Sequence, residues 1–406
     1  MTPGDASRAD HELTLLEGGE ALFPAMVEAI AAARSEVMLE TYIFDFSRSA
    51  LTVAEALEQA AARGVTVRVV VDGVGTGEIP DDWRSRWAAA GVRWRIFNPA
   101  HGWRLLVPRG WRRLHRKLCV VDGDVAFCGG INLLDDHHDP NHGALPLPRL
   151  DFAVRVRGPL VRDVHDTMTR LWWRLQAARK VRMVDPEGAL AAVRAAARAG
   201  VEEPTHSRRM PQGARASLVL RDNLRFRRRI ESTYRLAIAQ AQREIIIANA
   251  YFVPGVQLQR ALLRAAQRGV KITLLLQGRY EYFMQYHASR AVYGPMLEAG
   301  IQIIEYEASF LHAKVAVMDT PHGALSTVGS SNLDPFSLLL AREANVFVRD
   351  DRFAAELRSA LQQAIADHGR RIEPESHAHR SLLTRAANWL AYGAMRLMIM
   401  VAGKRY

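Results

Sequence analysis

The feature that most constrains this chain is that it repeats itself. Residues 56–65 read ALEQAAARGV and residues 261–270 read ALLRAAQRGV, identical at seven of ten positions with an offset of 205. A β-rich segment precedes each copy (Val37 to Phe44, Ile245 to Val253), and a buried-strand pattern, VTVRVVVDG or VKITLLLQG, follows it. Farther on, AAGVRWRIF at 89–97 answers EAGIQIIEY at 298–306. Both copies therefore read strand, helix, strand, helix, strand. Gly64, Gly91, Gly269 and Gly300 stand where the helices stop, the place where a residue free to turn left-handed is favoured. Such alternation predicts an α/β fold with a mixed or mainly parallel sheet in each half. We read residues 1–179 as the first half and 214–372 as the second. Between them, residues 180–213, rich in Ala, Arg, Pro and Gly, read as a linker with one surface helix, and residues 373–406 form a tail.

Composition narrows the function classes. With 49% hydrophobic residues the chain can bury enough apolar surface to offset chain entropy, which excludes a disordered or collagen-like protein. Its formal charge of +11 favours anionic partners: nucleic acid, an anionic membrane surface or phosphorylated substrates. Only two cysteines occur, Cys119 and Cys128, so neither a disulfide framework nor a four-cysteine zinc site is available, and both read as strand core residues. The opening segment lacks the basic start and apolar run of a signal peptide, so a cytosol-facing chain is expected. The longest apolar stretch, Trp389 to Val401, is interrupted by Arg396. As a helix it is roughly 20 Å long, too short for a hydrocarbon core of about 30 Å.

The chemistry sits at matching places in the repeat. HRKLCVVDGDVAFCGGIN places His115, Lys117, Asp122, Gly129, Gly130 and Asn132 in the spacing H-x-K-x4-D-x6-G-G-x-N. HAKVAVMDTPHGALSTVGSSN places His312, Lys314, Asp319, Gly329, Ser330 and Asn332 in the same order, with nine residues between Asp and Gly instead of six. A longer hairpin loop at Thr320 to Ala324 is expected to absorb the difference. Alternation on a strand points each His and its Lys to one face. Two halves packed about a pseudo-twofold axis would bring two imidazoles, two ammonium groups and two amides to one anionic centre, and a phosphodiester fits that arrangement. A single H-x-K pair on a strand is ordinary. The pattern twice over, in register with the repeat, is not.

These paired motifs resemble the phospholipase D superfamily, whose members unite two such halves around one active site. Further text, including LLEGGEALFPAMVEAI, ETYIF, IIIANAYFVPG, LHAKVAVMD, VGSSNLDPFSLLLAREANV and DFAVRVRGPLV, is similar to the shorter, B-type bacterial cardiolipin synthases over roughly residues 13–370. The resemblance implies two pseudo-twofold-related halves, each a mixed sheet flanked by helices, sharing one site. It also implies His115 as nucleophile, forming a phosphatidyl-histidine, and His312 as general acid and then base, although the near-symmetry of the repeat leaves the reverse assignment open. Lys117, Lys314, Asn132 and Asn332 would stabilise phosphoryl oxygens, with no metal or cofactor called for. Asp151 and Glu343, 36 and 31 residues after the histidines, would hydrogen-bond the far imidazole nitrogen. Asp122 and Asp319 belong to the catalytic motif, yet their odd spacing from the lysines aims them elsewhere, toward a structural role at a turn. The run DDHHDPNHG, Asp135 to Gly143, reads as a solvated or headgroup-facing loop rather than a metal site.

The expected activity is transfer of a phosphatidyl group from phosphatidylglycerol to a second phosphatidylglycerol, releasing glycerol. Hydrolysis to phosphatidic acid is the alternative. The superfamily also holds nucleases, and basic clusters at Arg109 to Lys117 and Arg225 to Arg229 would suit a nucleic-acid backbone, but no recognition module accompanies them, so no nucleic acid is expected. Anionic phospholipids (phosphatidylglycerol, cardiolipin) and a peripheral place on the cytoplasmic face of the cell membrane are expected instead. Two segments are candidate membrane contacts. WRLLVPRGWRR offers Trp103, Leu105, Leu106 and Trp111 just before His115. In the tail, Ser381, Arg385, Asn388, Tyr392 and Arg396 fall on one line at helical spacing with Trp389 and its apolar neighbours off it, the pattern of an in-plane helix or of one packed on protein.

Overall fold

The computed structural model describes residues 11–99, 108–183, 185–198, 216–221, 228–335, 341–375 and 381–401. In the first half the elements run β1 (Glu12–Glu17), α1 (Gly18–Ala31), β2 (Glu36–Thr41), α2 (Leu51–Ala62), β3 (Thr66–Asp72), α3 (Asp81–Ala90), β4 (Arg93–Phe97), β5 (Arg113–Leu114), β6 (Lys117–Val121) and β7 (Val125–Gly129). A two-stranded ribbon of β8 (His138–Asp139) and β9 (Gly143–Ala144) follows, then β10 (Phe152–Arg157), the long helix α4 (Leu160–Arg182) and α5 (Pro186–Arg198), which lies in the segment read as a linker. The second half runs β11 (Ala216–Arg221), α6 (Arg229–Gln240), β12 (Glu244–Asn249), α7 (Val256–Gln267), β13 (Lys271–Gln277), α8 (Phe283–Ala291), α9 (Tyr293–Glu298), β14 (Gln302–Tyr306), β15 (Lys314–Thr320), β16 (Gly323–Gly329) and β17 (Ala341–Arg349). It ends with α10 (Asp351–His368), β18 (Gly369–Arg371) and α11 (Leu382–Val401).

Each half builds one mixed sheet, and the strand orders correspond: β1-β10-β7-β6-β2-β3-β4 in the first, β11-β17-β16-β15-β12-β13-β14 in the second, with β18 added at the far edge. In both, β2/β3/β4 and β12/β13/β14 are parallel, joined through helices, and the remaining neighbours are antiparallel. Gly64, Gly91, Gly269 and Gly300 all adopt positive φ just beyond α2, α3, α7 and α9, the backbone state that only glycine enters without strain. The nine-residue gap is not taken up by a longer loop. β15 and β16 are seven residues each against five in β6 and β7, so the extra residues lengthen the ladder, which closes at Thr320 opposite Gly323.

The central strands are apolar on both faces because both faces are covered. Cys119 and Val121 of β6 pack outward with α1 and α2, and Ala316 and Met318 of β15 pack outward with α6 and α7. Their alternate neighbours, Leu118 and Val120 with Val315 and Val317, meet in one central cluster drawn from both sheets and from α4 and α10. Thus the two halves share a core and form a continuous body.

Candidate active site

The two sheets are sewn together beside each motif histidine. β5, immediately before His115, pairs in parallel with Ala341 and Arg342 of β17, and the His115 amide donates to the Arg342 carbonyl at 3.0 Å. Symmetrically, Leu150 bridges Leu311, and the His312 amide donates to the Leu150 carbonyl at 2.9 Å. The ends of the repeated strands clamp the preceding residues: the Leu114 amide donates to Asp72 Oδ2 at 2.7 Å, and the Leu311 amide donates to Gln277 Oε1 at 2.9 Å. The terminal Asp and Gln of VVVDG and LLLQG therefore hold equivalent backbone positions.

This cross-sewing hands each histidine a carboxylate from the other half. His312 Nδ1 lies 2.6 Å from Asp151 Oδ2. His115 Nδ1 lies 3.1 Å and 3.2 Å from the two oxygens of Glu343 and 3.2 Å from the Ser330 carbonyl. His115 Nδ1, facing acceptors alone, carries the proton, which leaves the Nε2 lone pair of His115 free. The spacing of 36 and 31 residues gave no sign that the pairing crosses between halves. Both carboxylates are buried, Asp151 at 2% and Glu343 at 0% exposed, rather than solvated at strand ends. Gly130 makes room for the first: a Cβ there would collide with the Asp151 carboxyl. Its counterpart Ser330 instead donates its hydroxyl to Glu343 Oε2 at 2.5 Å and receives the Ala344 amide at 3.1 Å, which fixes the second.

His115, His312, Asn132, Asn332 and Asp151 line one cavity of about 560 Å³, within the range of small-ligand sites. Lys117 and Lys314 lie behind the histidines, each ammonium donating to its own histidine's carbonyl, Lys117 at 2.7 Å. Lys314 Nζ also stands 2.7 Å from His312 Nδ1 and 3.7 Å from Asp151. Neither lysine is among the residues that line the cavity, and both are buried. Burial, chiefly, lowers the Lys117 ammonium to about 7 and the Lys314 ammonium to about 8. Burial also pushes both imidazoles below their ordinary value, His312 with the added repulsion of Lys314 and Lys117, and raises Asp151 to about 6.

Asp122 and Asp319 are not at the reacting centre. The Asp122 carboxylate receives the amides of Arg34, Ser35 and Glu36 at 2.8–2.9 Å, and Asp319 receives those of Arg243 and Glu244 at 2.8–3.1 Å. Each therefore anchors the start of a central strand, at the end away from the histidine. Partial burial opposes ionisation of Asp122, but these donors outweigh it and hold the carboxyl down to about 2. Both motif aspartates thus stand in the structural place that their odd spacing from the lysines implies. Cys119 and Cys128 are buried free thiols, pushed up to about 12 by burial.

A family model described as cardiolipin synthase, PLD-like domain, matches residues 26–145 and 234–365. Over 398 residues the chain is 35% identical to cardiolipin synthase B of Shigella flexneri, covering 96% of this chain and 89% of that protein. The chain belongs to the phospholipase D-like cardiolipin synthase family. Cardiolipin synthase B of Escherichia coli strain K12 is likewise 35% identical over 96% of this chain and 89% of its own. Among solved structures, phosphatidylserine synthase of Haemophilus influenzae Rd KW20 shares the fold with a TM-score of 0.67 and 12% identity, covering 96% of this chain and 95% of that one.

Within this family framework, the sequence reading missed several wall residues. Tyr42 and Tyr251, at equivalent places in ETYIF and NAYFV, both line the cavity. The Tyr42 ring lies 4.8 Å from the His115 ring and 5.4 Å from Lys117 Nζ. Their matching positions in the repeat were an available signal. The DDHHDPNHG loop lends Asp136 and Asp139 to the wall instead of standing in solvent. Asp139 is spoken for by Arg149 at 2.7 Å and His142 at 3.0 Å. Glu281 breaks the symmetry of the wall: it accepts from the Tyr251 hydroxyl at 2.7 Å, and the aligned first-half residue is Thr76. Of the membrane-contact candidates, Trp103, Leu105 and Leu106 lie outside the described residues, and half-buried Trp111 lines the cavity.

Proposed function

We propose that this chain is a cardiolipin synthase that moves a phosphatidyl group from phosphatidylglycerol to a second phosphatidylglycerol. The carrying observation is the pair of crossed His–carboxylate dyads opening on one cavity. A phosphodiester needs one nucleophile and one proton donor on opposite sides of phosphorus, and two imidazoles at one site supply both.

In this reading His115 Nε2 attacks phosphorus. The bond to the glycerol oxygen breaks as that oxygen takes the proton of His312, which gives free glycerol and a phosphatidyl-His115. Neutral His312 then removes the proton from a headgroup hydroxyl of the second phosphatidylglycerol. That oxygen attacks phosphorus, the P–N bond breaks, and cardiolipin leaves with both histidines restored. Asn132, whose carbonyl is held by the Ile43 amide at 3.2 Å, has its NH2 left to donate, and Asn332 stands opposite it in the repeat. The lysine ammonium groups offset the phosphoryl charge from behind. An arriving anionic diester raises the imidazole pKa values, which supplies the proton that burial removes from the free protein.

The reading includes a peripheral place at the cytoplasmic face of the membrane. Its support is the bilayer-resident substrate, the two unpaired thiols and the finding that, among the described residues, no helix is long and apolar enough to cross a membrane. The test is incubation with phosphatidylglycerol vesicles and mass spectrometry of the products, with His115→Ala as control. Cardiolipin plus glycerol is the expected result. Phosphatidic acid alone would make the protein a hydrolase, and no lipid product would overturn the reading.

A further inference from the structure

Helix α11 is packed the wrong way round for a helix that meets water. Its inward stripe is anchored by an amide: Asn388, Ala391 and Met395 are buried, Tyr392 is half-buried, and Asn388 Oδ1 pairs with His287 Nδ1 on α8 at 2.7 Å. Ala391 and Met395 close a small cluster with Ala288 of α8 and Val253. This leaves Leu382, Leu383, Trp389, Leu390, Leu397 and Met400 on the outside, Leu383 84% and Met400 70% exposed. An amphipathic helix docked on a soluble body buries its apolar side. Here apolar residues face outward while the Asn388–His287 pair, half-buried between the two helices, holds that orientation.

The face does not end with the helix. Tyr280, Tyr282 and Phe283, leading into α8, are exposed as well. Tyr282 is at once exposed and part of the catalytic cavity wall, and Met398 of α11 and Trp111 line the same cavity. Helix α11 and the lead-in of α8 thus carry both the exposed apolar residues and part of the cavity wall. Arg385 and Arg396 are exposed on this helix. Apolar anchors, interfacial Trp and Tyr, and adjoining arginines together match an anionic lipid surface. A second copy of a chain carrying +11 would set like charges against each other.

We propose that the outer face of α11 and the aromatic lead-in of α8 seat in an anionic phospholipid monolayer, which sets the cavity mouth against the lipid. This rests on the phosphatidyl-transfer reading. The test uses the full chain and a triple variant, Leu383→Ser, Leu390→Ser and Leu397→Ser, at exposed positions outside the catalytic machinery. Binding is read by co-sedimentation with vesicles of phosphatidylglycerol and phosphatidylcholine, and turnover on those vesicles and on short-chain phosphatidylglycerol dispersed as monomers. The expected result is at least tenfold weaker binding and at least tenfold slower vesicle turnover, with short-chain turnover within twofold of the parent. Unchanged vesicle binding would overturn the proposal. So would an equal loss on both substrates, or a parent dimer that the variant splits, because the face would then serve packing or self-association. A parent that binds vesicles but transforms neither lipid would instead sink the transfer reading.

Discussion

His115 and His312 show how a group ordinary in water becomes specialised by burial. With both imidazoles held below their usual range and Lys117 and Lys314 brought to about 7 and 8, the free protein has a narrow working window. Raising pH through 7 to 8 strips the ammonium charge that holds an anionic diester. Lowering it through about 6 neutralises Asp151, and acid also protonates the nucleophile, whose imidazole burial holds below its ordinary value. A bell-shaped kcat/KM against pH is expected on monomeric short-chain substrate, with its alkaline limb in the lysine range; a flat profile from pH 6 to 9 would contradict it. His115→Ala and His312→Ala should each lower turnover by roughly a thousandfold or more. Glu343→Gln should lose about a hundredfold, because a neutral amide supports the imidazolium less well. The H-x-K alternation made the histidines legible. Resemblance named Asp151 and Glu343 as their carboxylates, but the crossing of the two pairs was not legible, because a contact between halves has no sequence separation of its own to betray it, and neither did spacing show that the lysines turn back on their own strand.

At the scale of elements, two carboxylates near the motif test what the motif is for. Asp72 accepts the Leu114 amide and, through its other oxygen, the Val74 amide at 2.8 Å, so it fixes the strand that presents His115. Asp122 fixes the opposite end of the sheet. Asp72→Ala and Asp122→Ala each orphan backbone donors and should each destabilise by about 1–3 kcal/mol. Only the first should lower kcat, by about a hundredfold if His115 shifts by about 1 Å. Thermal midpoints with single-turnover rates on the folded protein separate the two, and equal loss of rate would return Asp122 to the catalytic set. The repeat made the succession of strands and helices readable, since ALEQAAARGV and ALLRAAQRGV carry the same turn and the same helix length. It did not show where added residues go, because a hairpin can lengthen its strands as readily as its loop. Nor did the polar line on α11 show which side met protein, since Asn388 satisfies His287, a residue about a hundred positions away.

The whole molecule is a single catalytic unit because neither half is complete. His115 lacks its carboxylate without β17, and His312 lacks its own without the residue preceding β10. The central cluster likewise draws Leu118 and Val120 together with Val315 and Val317, so separating the halves would expose the faces that meet there. Fusion in one chain keeps these partners at high effective concentration, where two free halves would have to associate before forming a site. A consequence follows for mixtures. Each His115→Ala chain still holds a sound His312–Asp151 pair, and each His312→Ala chain a sound His115–Glu343 pair, but no cavity in either has both imidazoles. Mixing the two purified variants should restore no turnover at any concentration or ratio. Activity rising with concentration toward a quarter of the parent's would mean that halves exchange between chains, and the closed single-chain site described by β5–β17 and Leu150–Leu311 pairing would have to be replaced by one assembled between two.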